Sequence, residues 1–139
     1  MDKPIIAGDT ITIPSSQDFL SDVDLFVEGT LRGYGAEESV IADIAISVSE
    51  LVNNAIIHGN KAIREKPVVV TVTRAGKNIS IAVRDQGGGF DPRKIQNPIE
   101  DDNLMKEVGR GIFIVESLMD AVDITPSSTG TTITITKGI

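Results

Sequence analysis

The sequence predicts an α+β two-layer sandwich, with a mixed, mostly antiparallel sheet covered on one face by helices. Three observations carry that expectation. Two amphipathic helical patterns come early in the chain, and the β-branched runs after position 67 gather into two hairpins. A third helical pattern separates the hairpins, and 139 residues are enough for one domain, 1–139, with a substantial core.

Taken in order, Thr10-Ile11-Thr12-Ile13 alternates as a short strand and stops at Pro14, after which Ser15 or Ser16 can cap a helix. Phe19, Val23, Phe26, Val27 and Leu31 then recur at helical steps and place one apolar stripe on the core. A second helix follows Gly35, with Val40, Ile41, Ile44, Val48, Leu51, Val52 and Ala55 on one face and Gly59 placed to end it. Pro67 opens the run Val68 to Thr73, and Ala75-Gly76-Lys77 turns the chain into Asn78 to Val83. Residues 86 to 108 carry glycine, proline and charge with little periodicity, so a flexible lid is expected there. Ile112, Phe113, Val115, Leu118 and Met119 suit a third helix, and Val122 to Thr125 with Thr131 to Thr136 suit a final hairpin.

Composition excludes several functions. Thirteen basic against twenty acidic residues give a net charge of −7, which opposes the phosphate neutralisation that nucleic-acid binding needs. A nucleotide remains compatible, because a few backbone amides and a cation can hold its phosphates. No run of about 18 apolar residues suggests a membrane span. The absence of cysteine and of a secretion-like start at Met1-Asp2-Lys3-Pro4 fits a cytoplasmic protein. His58 is the single histidine, so a polyhistidine metal site is excluded, and no Gly-x-Ser-x-Gly elbow accompanies it for a serine triad.

Chemistry is concentrated at three places. Asp43, Ser47, Glu50 and Asn54 fall at steps of four, three and four, and so share a stripe expected to lie opposite the apolar one. Glu50 and Asn54 are then neighbours: a carboxylate that can take a proton from a hydroxyl, and an amide oxygen suited to Mg²⁺. Asparagine is disfavoured inside helices, so Asn53 and Asn54 call for a further reason. Asp85-Gln86-Gly87-Gly88-Gly89-Phe90 puts one carboxylate at a strand end, followed by backbone that can approach a ligand closely. An acceptor fixed there could take the exocyclic amine of adenine. Gly109-Arg110-Gly111 directly precedes the expected third helix, where amides and the helix N-terminus could receive phosphate oxygens. Neither a Rossmann fingerprint nor a P-loop is present, because Ile114 stands where a third glycine is needed and no Gly-Lys-Ser/Thr follows. Gly130-Thr131-Thr132 reads by itself as a hairpin turn.

In this order, Glu50-Leu51-Val52-Asn53-Asn54-Ala55-Ile56-Ile57-His58-Gly59, Asp85 to Phe90, Gly109-Arg110-Gly111-Ile112 and Gly130-Thr131-Thr132 resemble the GHKL ATPase superfamily. Over nearly all of its length the chain looks most like the anti-sigma factor serine kinases of bacterial partner switching. The helix end Asn54-Ala55-Ile56-Ile57-His58-Gly59 and the run Leu118-Met119-Asp120-Ala121-Val122 add to that likeness. The resemblance implies a Bergerat-type fold that binds ATP and Mg²⁺. Within it Glu50 would be general base, Asn54 would ligate Mg²⁺, and Asp85 would bond the adenine amino group. Gly87 and Gly89 would line the adenine pocket, Gly109 to Gly111 would meet the phosphates with Arg110 as an added contact, and Thr131 or Thr132 would help hold adenine. Its implied partners are a STAS-type anti-anti-sigma protein carrying the acceptor serine or threonine, a sigma factor, and a second copy in a homodimer. The first helix, with Asp22, Asp24 and Arg32, is the candidate grip for the sigma factor.

Two functions remain in competition. One is a serine/threonine-protein kinase using MgATP, which needs the base at Glu50. The other is a non-catalytic ATP-binding partner-switch module, which would lose little in Glu50→Ala. A sensor histidine kinase fragment would need a dimerising hairpin with a phosphoacceptor histidine, and His58 lies inside the site helix instead.

Overall fold

The computed structural model describes residues 2–87 and 102–139. Strands β1 (Ile5–Ala7) and β2 (Thr10–Ile13) open the chain as a hairpin. Ser16 accepts a hydrogen bond from the Asp18 amide at 3.2 Å and starts a short 3₁₀ turn, Gln17–Phe19, that leads into α1 (Leu20–Gly33). Helix α2 (Glu38–Asn54) ends in a π turn, Ala55–Gly59. There follow β3 (Val68–Ala75), β4 (Asn78–Arg84), α3 (Asp102–Leu118), β5 (Ala121–Ser127) and β6 (Gly130–Gly138).

All pairings among the described strands are antiparallel, in the spatial order β1-β2-β3-β4-β6-β5. The two expected hairpins are present, and β6 returns to lie beside β4, with Val83 opposite Ile133 and Ile81 opposite Ile135. Alternation along these strands puts Ile11, Ile13, Val68, Val70, Val72, Ile79, Ile81, Val83, Ile133 and Ile135 in the core. Val23, Val27 and Leu31 of α1, Ile44, Val48 and Leu51 of α2, Ile112 and Val115 of α3, and Met119 just after it meet them there. Helix α2 is central, with α1 and α3 packed against it. The stretch Glu38–Gly59 is long and apolar enough by composition to cross a membrane, but half of it is buried here as the core helix of the sandwich.

Three sequence expectations change. The polar stripe on α2 flanks the apolar one rather than opposing it: Ser47 and Asn54 are buried, with the Ser47 hydroxyl donating to the Asp43 carbonyl at 2.9 Å. The physical reason is that α1 and α3 cover both flanks of α2, so only a narrow face is left to solvent. Helix α3 begins at Asp102, so Gly109, Arg110 and Gly111 lie inside it and do not precede it. Residues 102–108 are therefore helix and not lid, consistent with the good helix formers Leu104, Met105, Lys106 and Glu107. The rest of the expected lid, residues 88–101, lies outside the described residues. The third change is at Thr132, which alternation turns onto the sheet face away from the helices.

Candidate nucleotide site

The site gathers where the end of α2 meets the ends of β4 and β6. Asp85 continues from β4, its amide donating to the Thr131 carbonyl at 3.0 Å. The residue is only 6% exposed, and Oδ1 accepts from the Gly87 amide at 2.9 Å and the Thr131 amide at 3.2 Å. Burial raises the Asp85 pKa above the ordinary value; the two amides and the charge of Lys66 oppose that rise. Backbone packs closely around the carboxylate. A Cβ on Gly87 would come within 2.1 Å of the Gly59 carbonyl oxygen, and one on Gly130, whose φ is +151°, within 2.1 Å of the Asp85 carbonyl oxygen. Gly59 lies against Asp85 Oδ2. No side chain fits at positions 87 and 130, so both glycines are needed for close approach, and Gly130 for its backbone conformation as well.

Above Asp85 a cleft is lined by Leu51, Asn54 and Ala55 of the helix and by Val83, Thr131 and Ile133 of the sheet. Apolar walls with one buried acceptor match the chemistry of a flat heteroaromatic ring carrying an amino group, but the cleft as it stands is nearly closed, with room of about 10 Å³, so a ring enters only as its walls part. Asn54 stands at the upper edge. It is 6% exposed, and its Nδ2 has no hydrogen-bond partner among the described residues. A buried amide without a partner is costly unless a ligand completes it. With the amide turned over, Oδ1 is a hard oxygen donor, and a single protein oxygen suits Mg²⁺, which keeps substrate phosphates and water as its other ligands. Glu50, half-buried one turn back, faces the same spot: a Cβ on Gly111 of α3 would lie 3.0 Å from Glu50 Oε2 and 3.3 Å from Asn54 Nδ2.

The structure thus brings together Glu50, Asn54, Asp85, Gly87, Gly111 and Thr131. Gly109 and Arg110 are exposed one turn or less from Gly111, Thr132 is on the far face, and Gly89 lies outside the described residues. Asn53 has a local reason of its own, accepting from Gln17 Nε2 at 2.7 Å. His58 is half-buried in the π turn. Sequence reasoning missed Gly59 and Gly130 as packing partners of Asp85, and it missed Asn60. Gly59 and Asn60 directly continue the Asn54 to His58 run, which was the available signal, but Gly59 read only as a helix stop.

The family model for the histidine kinase-like ATPase domain matches residues 13–137. The chain belongs to that family. Among curated relatives, the serine-protein kinase RsbW of Staphylococcus aureus strain JH9 is 33% identical over 134 residues, covering 91% of this chain and 84% of the relative. RsbW of strain Newman matches equally. Among solved structures, the RsbU and RsbW domains of Rv1364c from Mycobacterium tuberculosis superpose with a TM-score of 0.69 at 26% identity, over 97% of this chain and 31% of that longer one. The histidine kinase domain of the blue-light activated kinase from Erythrobacter litoralis superposes at 0.56 with 17% identity, over 90% of this chain and 61% of that one, a likeness of fold. Membership in a histidine kinase-like ATPase family of RsbW type implies that the domain binds ATP.

Proposed function

We propose that the protein is an anti-sigma-type serine/threonine-protein kinase that transfers the γ-phosphoryl group of MgATP to a STAS-domain anti-anti-sigma partner. The observation that carries this reading is the placement of the Glu50 carboxylate beside the Asn54 amide, both against Gly111, above a cleft with Asp85 at its floor. The name of the S. aureus relatives, serine-protein kinase, supports the same direction. A sigma factor would be the competing partner, and self-association into a homodimer belongs to the same reading, as does action in the cytoplasm, where ATP and such partners meet.

Each residue then has one task. Asp85 accepts from the adenine amino group, with Thr131 beside it, and Leu51, Ala55, Val83 and Ile133 exclude water from the ring. Asn54 Oδ1 is the residue atom that would hold Mg²⁺, which supplies neutralisation of phosphate charge. The amides of Gly109 to Gly111 remain candidates for the phosphates, on condition that the start of α3 unwinds to free them. Glu50 orients the acceptor hydroxyl and takes its proton as the new O–P bond forms and the bond to the β-phosphate oxygen breaks, releasing ADP.

The test is transfer of labelled γ-phosphate from MgATP to a STAS-domain protein of the same genome, with Glu50→Ala alongside. Label on the partner that falls by roughly 10²- to 10⁴-fold in the variant is the expected result for a general base. ATP binding without transfer to any STAS protein of that genome would favour the non-catalytic partner switch.

A further inference from the structure

Asn60 follows the π turn and is fully buried, with every polar atom of its side chain in use. Nδ2 donates to Ser15 Oγ at 2.8 Å, to the Lys66 carbonyl at 3.0 Å and to the Pro67 carbonyl at 3.1 Å. Oδ1 accepts from the Gln86 amide at 2.7 Å. That amide belongs to the peptide joining Asp85 to Gln86. The peptide on the other side of Asp85 is fixed by its amide donating to the Thr131 carbonyl. Both peptide planes that flank the Asp85 Cα are therefore held, one by β6 and one by the Asn60 side chain, and the direction of the Cβ follows from them.

We propose that Asn60 is the positioning residue for Asp85, aiming its carboxylate at the nucleotide base without touching the nucleotide. This rests on the reading of Asp85 as the acceptor for the adenine amino group. The chain goes to some length to place Asn60. The Asn60 amide bonds back five residues to the Ala55 carbonyl at 2.8 Å, so one extra residue is inserted and position 60 is turned from where an unbroken α-helix would put it. Lys61 and Ala62 then take left-handed backbone, φ 56° and 57°, which residues other than glycine seldom adopt. The Ala62 amide closes this reversal onto the Ile56 carbonyl at 2.7 Å. Strain of this kind persists where the surroundings hold it, and here they hold one side chain against the peptide after Asp85. Ser15, 3% exposed, completes the support, since its hydroxyl accepts from Asn60 while donating to the Lys66 carbonyl.

A positioning role predicts a loss of base discrimination, which a merely structural role would not cause. The measurement is the ratio of Kd for MgITP to Kd for MgATP, by titration calorimetry on the full chain, for the native protein and for Asp85→Asn, Asn60→Ala and Ser15→Ala. ITP has a 6-oxo group in place of the amino group and a proton on the adjacent N1, so it changes only the edge of the base assigned to Asp85. A native preference for ATP of roughly tenfold or more is expected, the usual scale for one hydrogen bond to a charged group. Asp85→Asn should abolish it, and Asn60→Ala should lower it at least threefold with the ITP affinity nearly unchanged. Ser15→Ala, which removes one support of Asn60 and nothing from the cleft, should move the ratio in the same direction by less. Equal weakening of both nucleotides in folded Asn60→Ala, with Asp85→Asn collapsing the ratio, overturns the proposal and leaves the Asp85 reading standing. If Asn60→Ala does not fold, an unchanged ratio in Ser15→Ala overturns it. No discrimination in the native protein, or none lost in Asp85→Asn, removes the Asp85 reading itself, and the proposal with it.

Discussion

Gly87→Ala tests the site through a contact between two backbones. The added Cβ would stand 2.1 Å from the Gly59 carbonyl oxygen and 2.8 Å from its carbon, so the segments at 59 and 87 must part by about 1 Å to reach ordinary contact. Neither can yield by turning a side chain. Overpacking of this kind costs about 1–3 kcal/mol of stability. Moving Gly87 also withdraws its amide from Asp85 Oδ1, a 2.9 Å bond to a buried carboxylate, and a hydrogen bond to a charged group is worth about 1.5–3 kcal/mol. If about 2 kcal/mol of that is lost from nucleotide binding, Kd rises about 30-fold.

The assay is denaturation with and without MgATP. At a concentration 100 times the native Kd, ligand stabilises the native protein by about 2.7 kcal/mol, and a 30-fold weaker variant by about 0.9 kcal/mol. The expected result is a variant that still unfolds cooperatively, melts lower, and gains about a third of the native increment from MgATP. A Gly87→Ala protein with native melting and the full increment would refute the reasoning, because it would mean that the Gly59 to Gly87 approach does not hold Asp85.

Other outcomes follow from the same geometry. Gly109→Ala, whose Cβ meets nothing within 4 Å, should stabilise the nucleotide-free protein by about 0.5–1 kcal/mol in thermal or urea unfolding by strengthening α3. If the 109–111 amides leave the helix for phosphates, the same variant should weaken MgATP by a comparable amount, read by calorimetry. Ala62→Gly should stabilise by about 0.5 kcal/mol in urea titration, relief of about 1–2 kcal/mol of left-handed strain being partly offset by the entropy of a more flexible unfolded chain. Because burial raises the Asp85 pKa, its contribution to stability is fully present below the ordinary 3.8 and is lost as pH rises through the raised folded value. The MgATP increment runs the other way, falling on acidification as the carboxylate that accepts from adenine is neutralised; melting of the native protein against Asp85→Asn from about pH 4 to pH 7 separates both trends from those of other carboxylates.

The fold was legible because its signals are local. Period-two runs at Val68 to Thr73 and Thr131 to Thr136, and the helical stripe from Val40 to Ala55, each report a face that must be buried wherever the element ends up. The start of α3 was hidden by Gly109 and Gly111, since glycine within a helix and glycine before one look alike in sequence. The three-residue β1 with exposed Ile5 and Ile6 gives almost no pattern and is fixed by pairing to β2. Asp43 shows the limit of a helical wheel drawn in isolation. It joins Lys137 of β6 at 3.4 Å, while the same ammonium donates to the Leu118 carbonyl at the end of α3 at 2.6 Å. Asp43 is polar where it is because a cation of β6 comes to meet it, and the helix sequence does not contain that cation.

At the site, residue types that announce chemistry were legible, and the residues that aim them were not. A carboxylate close before three glycines stands out because it is followed by bare backbone, and the Glu and Asn one turn apart because asparagine is disfavoured in a helix interior. Asn60 is as deeply buried as any core residue, yet in sequence it is one more turn-forming asparagine, and its partners Ser15, Lys66, Pro67 and Gln86 are spread over more than half the chain. Their convergence depends on a π turn, and nothing in Ala55-Ile56-Ile57-His58-Gly59 distinguishes that turn from continued α-helix. The extra residue is favoured only because it completes hydrogen bonds to segments that arrive from elsewhere. Aim is therefore a tertiary property here: the Asp85 carboxylate is specified by its own codon, but its direction by five segments that meet only in the folded domain.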